Sequence, residues 1–270
     1  MSLAHPHART PGALYRLLVV AVLGFASGLP LALTGQALQA WLTVEGLSLA
    51  TIGFLSLVGV PYTFKFLWAP LLDRFELPGF GFLGRRRGWL VLTQLALAGV
   101  LMALAATSPR DELRAFALLA VLLAFLSATQ DVVIDAYRTE LLPAPERGLG
   151  ASLNVMGYRV AMILSGGIAL IWTDPAQGGG WTWPQVYRLM AALLVGAAVL
   201  SALLLPRLPA RTTPPPPAGN DLRGFAAVVL AVVLGAFLSD RYGGAVAQAL
   251  VGSWLAAGSL PAALQQRWVD

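Results

Sequence analysis

The chain has 270 residues, of which 57% are hydrophobic and only 11% charged, with a net charge of +5 and a mean hydropathy of +0.72. An ordinary soluble domain carries about a quarter charged residues, and a surface this apolar exceeds what a water-soluble monomer tolerates, so a lipid solvent is required. The basic balance does not point to nucleic acid, because the arginines fall between apolar stretches and not along one solvated face; with no cysteine, disulfide frameworks, thiolate metal sites and cysteine nucleophiles are excluded.

Crossing a hydrocarbon core about 30 Å thick takes roughly 20 apolar residues in a helix. Six stretches qualify, at 15–42 (with a kink expected at Pro30), 51–72, 89–107, 114–137, 149–172 and 186–205. The runs are continuous and do not alternate with period two, so helices and not barrel strands are expected. Further apolar runs follow the first, which reads as a retained helix and not as a removed signal peptide. A Pro-rich stretch at 207–221, with Pro214–Pro217, reads as a solvated spacer. Beyond it, 222–238 reads as a seventh helix, and the Gly-rich run 243–260 as a re-entrant, interfacial or spanning piece. The expected organisation is therefore a six-helix bundle at 1–206, a cytoplasmic linker at 207–221, and at 222–270 the start of a missing second half. That gives about seven or eight transmembrane segments.

Orientation follows from basic residues in the loops. Arg9, Arg16, Arg74, Arg85, Arg86, Arg87, Arg138, Arg147, Arg207, Arg211 and Arg223 fall on one side, against Arg110, Arg114 and Arg188 on the other. The N-terminus is expected in the cytoplasm.

Ionisable groups within the spans carry the functional signal, because each costs on the order of 2.5–3.5 kcal/mol at the helix centre. Asp131 and Asp135 stand four apart on one face of the fourth helix, with Arg138 one turn on. Two carboxylates so close disfavour double ionisation, which is the chemistry of a proton carrier; the plainer reading is a helix end at which Arg138 pairs with Asp135. Lys65, in the second helix, sits at a depth matching Asp131, so the two can pair, or Lys65 can snorkel to the interface. Arg159 lies mid-helix in the fifth segment, on a polar stripe with Asn154, Tyr158 and Ser165. It either neutralises an aspartate or faces an anionic ligand. Gly24 and Gly28 permit close helix packing. Gln36 and Gln39 can bond a polar ligand or one another, and Gln94 and Gln130 are equally undecided. The run Gly24–Gly28 also echoes Ala124–Ala128, as an inverted repeat would.

Asp73-Arg74, followed by Gly84-Arg85-Arg86-Arg87, resembles the D-R-x-G-R-R loop of the major facilitator superfamily, here stretched by Phe75–Leu83. Together with Gly24–Thr34, Thr51–Gly59, Phe64–Pro70, Gly84–Trp89, Ala128–Ala136 and Gly157–Gly166, it is similar to the AmpG-type anhydromuropeptide permeases of that superfamily. The resemblance covers roughly residues 15–205. It implies proton-coupled import of N-acetylglucosamine-anhydromuropeptides across a bacterial inner membrane for cell-wall recycling, by alternating access and without a cofactor or metal. It also implies a second helical half completing the site; the rival arrangement is a six-helix half that dimerises into a channel or carrier, with a second copy in that place. In that setting Asp131 with Asp135 would carry the proton, and Lys65 and Arg159 would balance charge or meet substrate. Gln36, Gln39, Asn154 and Tyr158 would contact sugar or peptide, and Asp73, Arg74, Arg85, Arg86 and Arg87 would form a gating loop.

One enzymatic alternative exists. Asp131-x-x-x-Asp135 fits the pattern with which intramembrane prenyltransferases hold Mg²⁺ and a diphosphate, though such sites need a second acidic cluster.

Overall fold

The computed structural model describes residues 12–74, 83–174, 176, 179–206, 208 and 230. Most of the expected linker at 207–221, the seventh helix and the 243–260 run lie outside the described residues, as do Arg9, Arg207, Arg211, Arg223 and the insertion from Phe75 to residue 82. The chain divides into two compact units, 1–211 and 212–270, and all that follows concerns the first.

Six helical stretches in that unit are long and apolar enough to cross a membrane: Ala13–Val44, Leu49–Leu67, Arg85–Leu104, Leu113–Leu141, Ala144–Thr173 and Trp183–Leu204. No strand occurs among the described residues. The architecture is an all-α, multi-pass membrane bundle. The first span packs against the fifth and the fourth, and the third against the fourth and the sixth.

The first span is two helices, α1 (Ala13–Thr34) and α2 (Gln36–Val44), and they part at Gly35, not at the expected Pro30. Proline has no N–H, so at Pro30 the carbonyl of Ala26 loses its helical donor. Gln130 replaces it, its buried Nε2 donating to Ala26 O at 3.0 Å, and α1 runs on intact. At the Gly35 break the freed carbonyls are also met. The Thr34 hydroxyl donates to Leu31 O at 2.9 Å, the Gly35 N–H to Ala32 O at 3.2 Å, and the buried Tyr187 hydroxyl to Leu33 O at 2.7 Å. A helix end inside a bilayer requires this, since no lipid group can supply the bonds.

Loss of the Gln130 bond is therefore testable against its cause. Gln130→Leu leaves a buried carbonyl unmet, at a cost of about 1–3 kcal/mol. Pro30→Ala returns a backbone donor to the same oxygen, so Gln130→Leu should cost clearly less in that background. Equal costs in both backgrounds, measured by thermal unfolding in detergent, would show that the bond does not repair the proline.

The second span is not the continuous helix expected at 51–72. It runs as α3 (Leu49–Leu55), a 3₁₀ turn (Ser56–Gly59), α4 (Val60–Phe64), a second 3₁₀ turn (Lys65–Leu67) and α5 (Ala69–Arg74). Pro61 and Pro70 remove the donors to Leu57 and Phe66, and both carbonyls fall inside the 3₁₀ turns, where i→i+3 bonding takes over. Lys65 opens the second of these turns.

The third and fourth spans are α6 (Arg85–Leu104) and α7 (Leu113–Leu141). The fifth holds α8 (Arg147–Met162), a π-helical turn at Ile163–Ile168 and α9 (Ala169–Thr173), and the sixth is α10 (Trp183–Leu204). Trp41 sits at the centre of the larger core, edge-on to Phe116 at 5.1 Å and tilted against Tyr187 at 4.9 Å. Near the far end of α10, side chains from three other helices take main-chain carbonyls: Tyr15 at Leu204, Arg87 at Ala202 and Tyr137 at Pro206.

Candidate functional site

The glycine pair of α1 brings the site together. An added Cβ at Gly24 would overlap the Asn154 carbonyl, and one at Gly28 the Tyr158 carbonyl. On the other side, a Cβ at Gly157 would collide with the Ala21 carbonyl. With no side chain between them, α1 and α8 pack backbone to backbone, and the Asn154 amide donates to Val20 O at 3.3 Å.

Beside this contact lies a cavity of about 410 Å³. Ser27 and Leu31 of α1, Lys65 of the second span, Asp131 and Asp135 of α7, and Asn154, Tyr158 and Arg159 of α8 all line it. Four of the segments expected to carry polar groups thus meet at one place.

Asp131 is the buried acid of the cavity, 9% exposed. Lys65 Nζ stands 3.3 Å from its Oδ2, and the Ser27 hydroxyl donates to its Oδ1. The predicted Lys65–Asp131 pair is therefore formed, and the lysine does not simply snorkel. Asp135, one turn on, is more exposed and is held by Arg138 at 3.0 Å, as the plainer reading of that acid had it. The two carboxylates are thus partitioned, each with its own cation. Ser27 is the residue that sequence reasoning passed over; its one signal was the Gly24–Gly28 echo of the fourth helix, where Ser127 stands in the matching place.

The remaining predicted residues divide. Asn154, Tyr158 and Arg159 line the cavity, although the Asn154 amide is also spent on α1. Gln36 and Gln39 are exposed on α2, beyond the Gly35 break, and are not among the cavity's lining residues. Gln94, fully buried in α6, finds no hydrogen-bond partner for either amide atom among the described residues.

The arginine loop forms a second, separate cluster. Arg86, 4% exposed, pairs with Asp73 Oδ1 at 2.6 Å and with Glu140 Oε1 at 2.6 Å. Arg85 reaches Glu140 at 3.1 Å and the Asp73 carbonyl at 3.0 Å. Arg87 turns instead to the Ala202 carbonyl, and Arg74 is exposed on α5. Glu140, which the sequence reading did not select, thus ties the end of α7 to Arg85 and Arg86, and these two arginines in turn reach Asp73.

The arrangement argues against the magnesium–diphosphate alternative. Both carboxylates of the Asp131-x-x-x-Asp135 pair are engaged by cationic side chains.

Comparison with known proteins agrees. Over 201 residues the chain is 52% identical to the anhydromuropeptide permease of Escherichia coli K12, a match covering 74% of this chain and 39% of that protein. It is 42% identical over 194 residues to an uncharacterized protein of Haemophilus influenzae, covering 72% of this chain and 44% of that one. The chain thus spans about two fifths of the length of the curated relatives it matches. The major facilitator superfamily model matches residues 20–265. With a membrane bundle of six spans behind it, the chain belongs to the major facilitator superfamily, a family of transporters and not of enzymes.

Proposed function

We propose that the protein takes part in proton-coupled import of anhydromuropeptides across a bacterial inner membrane. The observation that carries this reading is the Lys65–Asp131–Ser27 cluster: a buried carboxylate at membrane depth, matched by one loose cation and opening onto a cavity with three polar α8 side chains. Such a group is costly to keep in a bilayer unless it is used. Binding and release of a proton at Asp131 is the coupling step, and Asp135, fixed by Arg138, shapes the field around it. Lys65 and Arg159 balance these charges, while Asn154 and Tyr158 contact sugar or peptide. The substrate class is that of the E. coli relative, an anhydromuropeptide permease.

In this reading the N-terminus and the 73–87 segment face the cytoplasm, on the asymmetry of the arginines. The Asp73–Arg86–Glu140 cluster latches the cytoplasmic ends of the second, third and fourth spans and opens during alternating access. A second helical half, or a second copy of this bundle, supplies the opposite wall of the site.

The test is uptake of labelled anhydromuropeptide into right-side-out vesicles that carry the protein expressed from its full reading frame, with the outside made acid. Accumulation above the external concentration, lost on adding a protonophore, is the expected result. Accumulation indifferent to the protonophore would remove proton coupling, and an absence of uptake would remove the substrate.

A further inference from the structure

We infer that Lys65 is shared between Asp131 and a carboxylate of the transported ligand, so that the ligand's carboxylate binds only when Asp131 takes up a proton, with Arg159 as the second cation of the anion site. The inference rests on the reading of the cavity as the transport site.

Charge accounting leads to it. The cavity holds two cations, Lys65 and Arg159, and two acids, Asp131 and Asp135. Asp135 is committed to Arg138, outside the lining. Lys65 is committed to Asp131. Among the described residues no carboxylate stands within ion-pair distance of Arg159, which is exposed into the same space. One unmatched guanidinium therefore faces a cavity from which an anion is missing.

Geometry marks Lys65 as the movable partner. Charge-assisted N⁺–H···O⁻ bonds cluster near 2.7–2.9 Å, whereas Lys65 Nζ stands 3.3 Å from Asp131 with its side chain 34% exposed against 11% for the acid. Asp131 is fixed from the other side by Ser27 on α1, whereas Lys65 opens a 3₁₀ turn. A ligand carboxylate can therefore approach Lys65 from the cavity, but not while Asp131 is ionised, because that ammonium is then held by Asp131 and the two carboxylates would repel one another across it at low dielectric. Protonation of Asp131 removes that repulsion and frees Lys65. The exchange conserves charge: a proton joins Asp131 as a carboxylate joins Lys65, and the net charge in the membrane stays the same.

The groups facing Asp131 are few. Lys65 and Tyr62 come from the second span, Ser27 from α1, Asp135 from α7, and Tyr158 from α8, where Arg159 also stands. Only Asp131 and Asp135 are carboxylates, and Arg138 holds Asp135.

Linkage makes this measurable, because proton and carboxylate must raise one another's affinity by the same factor. Binding is followed by equilibrium dialysis on the protein expressed from its full reading frame, in lipid nanodiscs, from about pH 5 to 8. The probes are an anhydromuropeptide with a free peptide carboxylate, its carboxamide counterpart, and an N-acetylated dipeptide carboxylate. The carboxylate probes should lose affinity about tenfold per pH unit above the titration of Asp131, and the carboxamide should bind weakly with no slope. Asp131→Asn, close in shape, should bind carboxylate across the whole range as tightly as the wild type does at its acid limit. Arg159→Gln should weaken binding at every pH while keeping the slope. A slope that survives Asp131→Asn, or a carboxamide that binds as the carboxylate does, overturns the inference. Dipeptide binding with the Asp131-dependent slope, without muropeptide binding, upholds the inference and removes the proposed substrate. Muropeptide binding without any slope does the reverse, and binding of none of the probes removes both.

Discussion

Asp131→Asn is expected to abolish concentrative uptake while leaving substrate binding and downhill exchange in place. Asparagine keeps the outline of the side chain and an acceptor for the Ser27 hydroxyl, but it can no longer take up or release a proton in the transport cycle. With no proton to carry, the imposed gradient can do no work on the substrate, and accumulation in the vesicles described above should fall to the external concentration. Folding should survive. Lys65 loses its counter-charge, but at 34% exposure its ammonium can hydrate, so the full penalty of a stranded buried charge does not apply. Asp135→Asn should do far less. That acid is 55% exposed and already tied to Arg138 at 3.0 Å, so it has its own counter-charge and stands apart from the Lys65–Asp131 pair. An Asp131→Asn protein that still concentrates substrate would make Asp131 a structural acid.

The contrast between the two aspartates was legible in the sequence, because helical periodicity alone puts Arg138 one turn from Asp135 and depth alone puts Lys65 level with Asp131. The six spans were legible for the same reason: a bilayer imposes one length and one polarity on whatever crosses it. Other features depend on which helix lies beside which, and single-span patterns carry no such information. Pro30 reads as a kink until Gln130, a hundred residues later, is seen to donate to the carbonyl that it freed. The fracturing of the second span needed Pro61 and Pro70 to be read as missing donors at Leu57 and Phe66, although both prolines were in view. Glu140 looks like one more acid at a helix end, and only the approach of Arg85 and Arg86 across space makes it the centre of a cluster. Gln36 and Gln39 err the other way. They continue the polar pattern of the first span, but the turn at Gly35 carries them away from the cavity.

The largest loss of stability is expected from filling the α1–α8 contact. Gly24→Val places a branched side chain where the carbonyl carbon and Cα of Asn154 stand only 2.9 Å from the point its Cβ must occupy, and a Cβ at Gly28 meets the same two atoms of Tyr158 at 2.9 Å. These obstacles are backbone, so no rotamer change can relieve the overlap, and the helices must move apart. Separation breaks the Asn154–Val20 bond and pulls Ser27 away from Asp131, damaging packing and site together. The cost should lie at or beyond the upper end of the ~1–3 kcal/mol usual for overpacking, and the variant should be recovered in detergent largely as aggregate. Even Gly24→Ala should lower the unfolding midpoint, since its Cβ alone produces the clash. Gly99 in α6 and Gly196 in α10 supply the control, because an added Cβ there meets nothing within 4 Å. Alanine at either should be neutral, or should gain up to about 1 kcal/mol from helix propensity. Size-exclusion profiles and thermal unfolding followed by tryptophan fluorescence separate the two classes. If Gly24→Ala unfolds at the wild-type midpoint, α1 and α8 do not touch through their backbones, and the cavity built on that contact has to be redrawn.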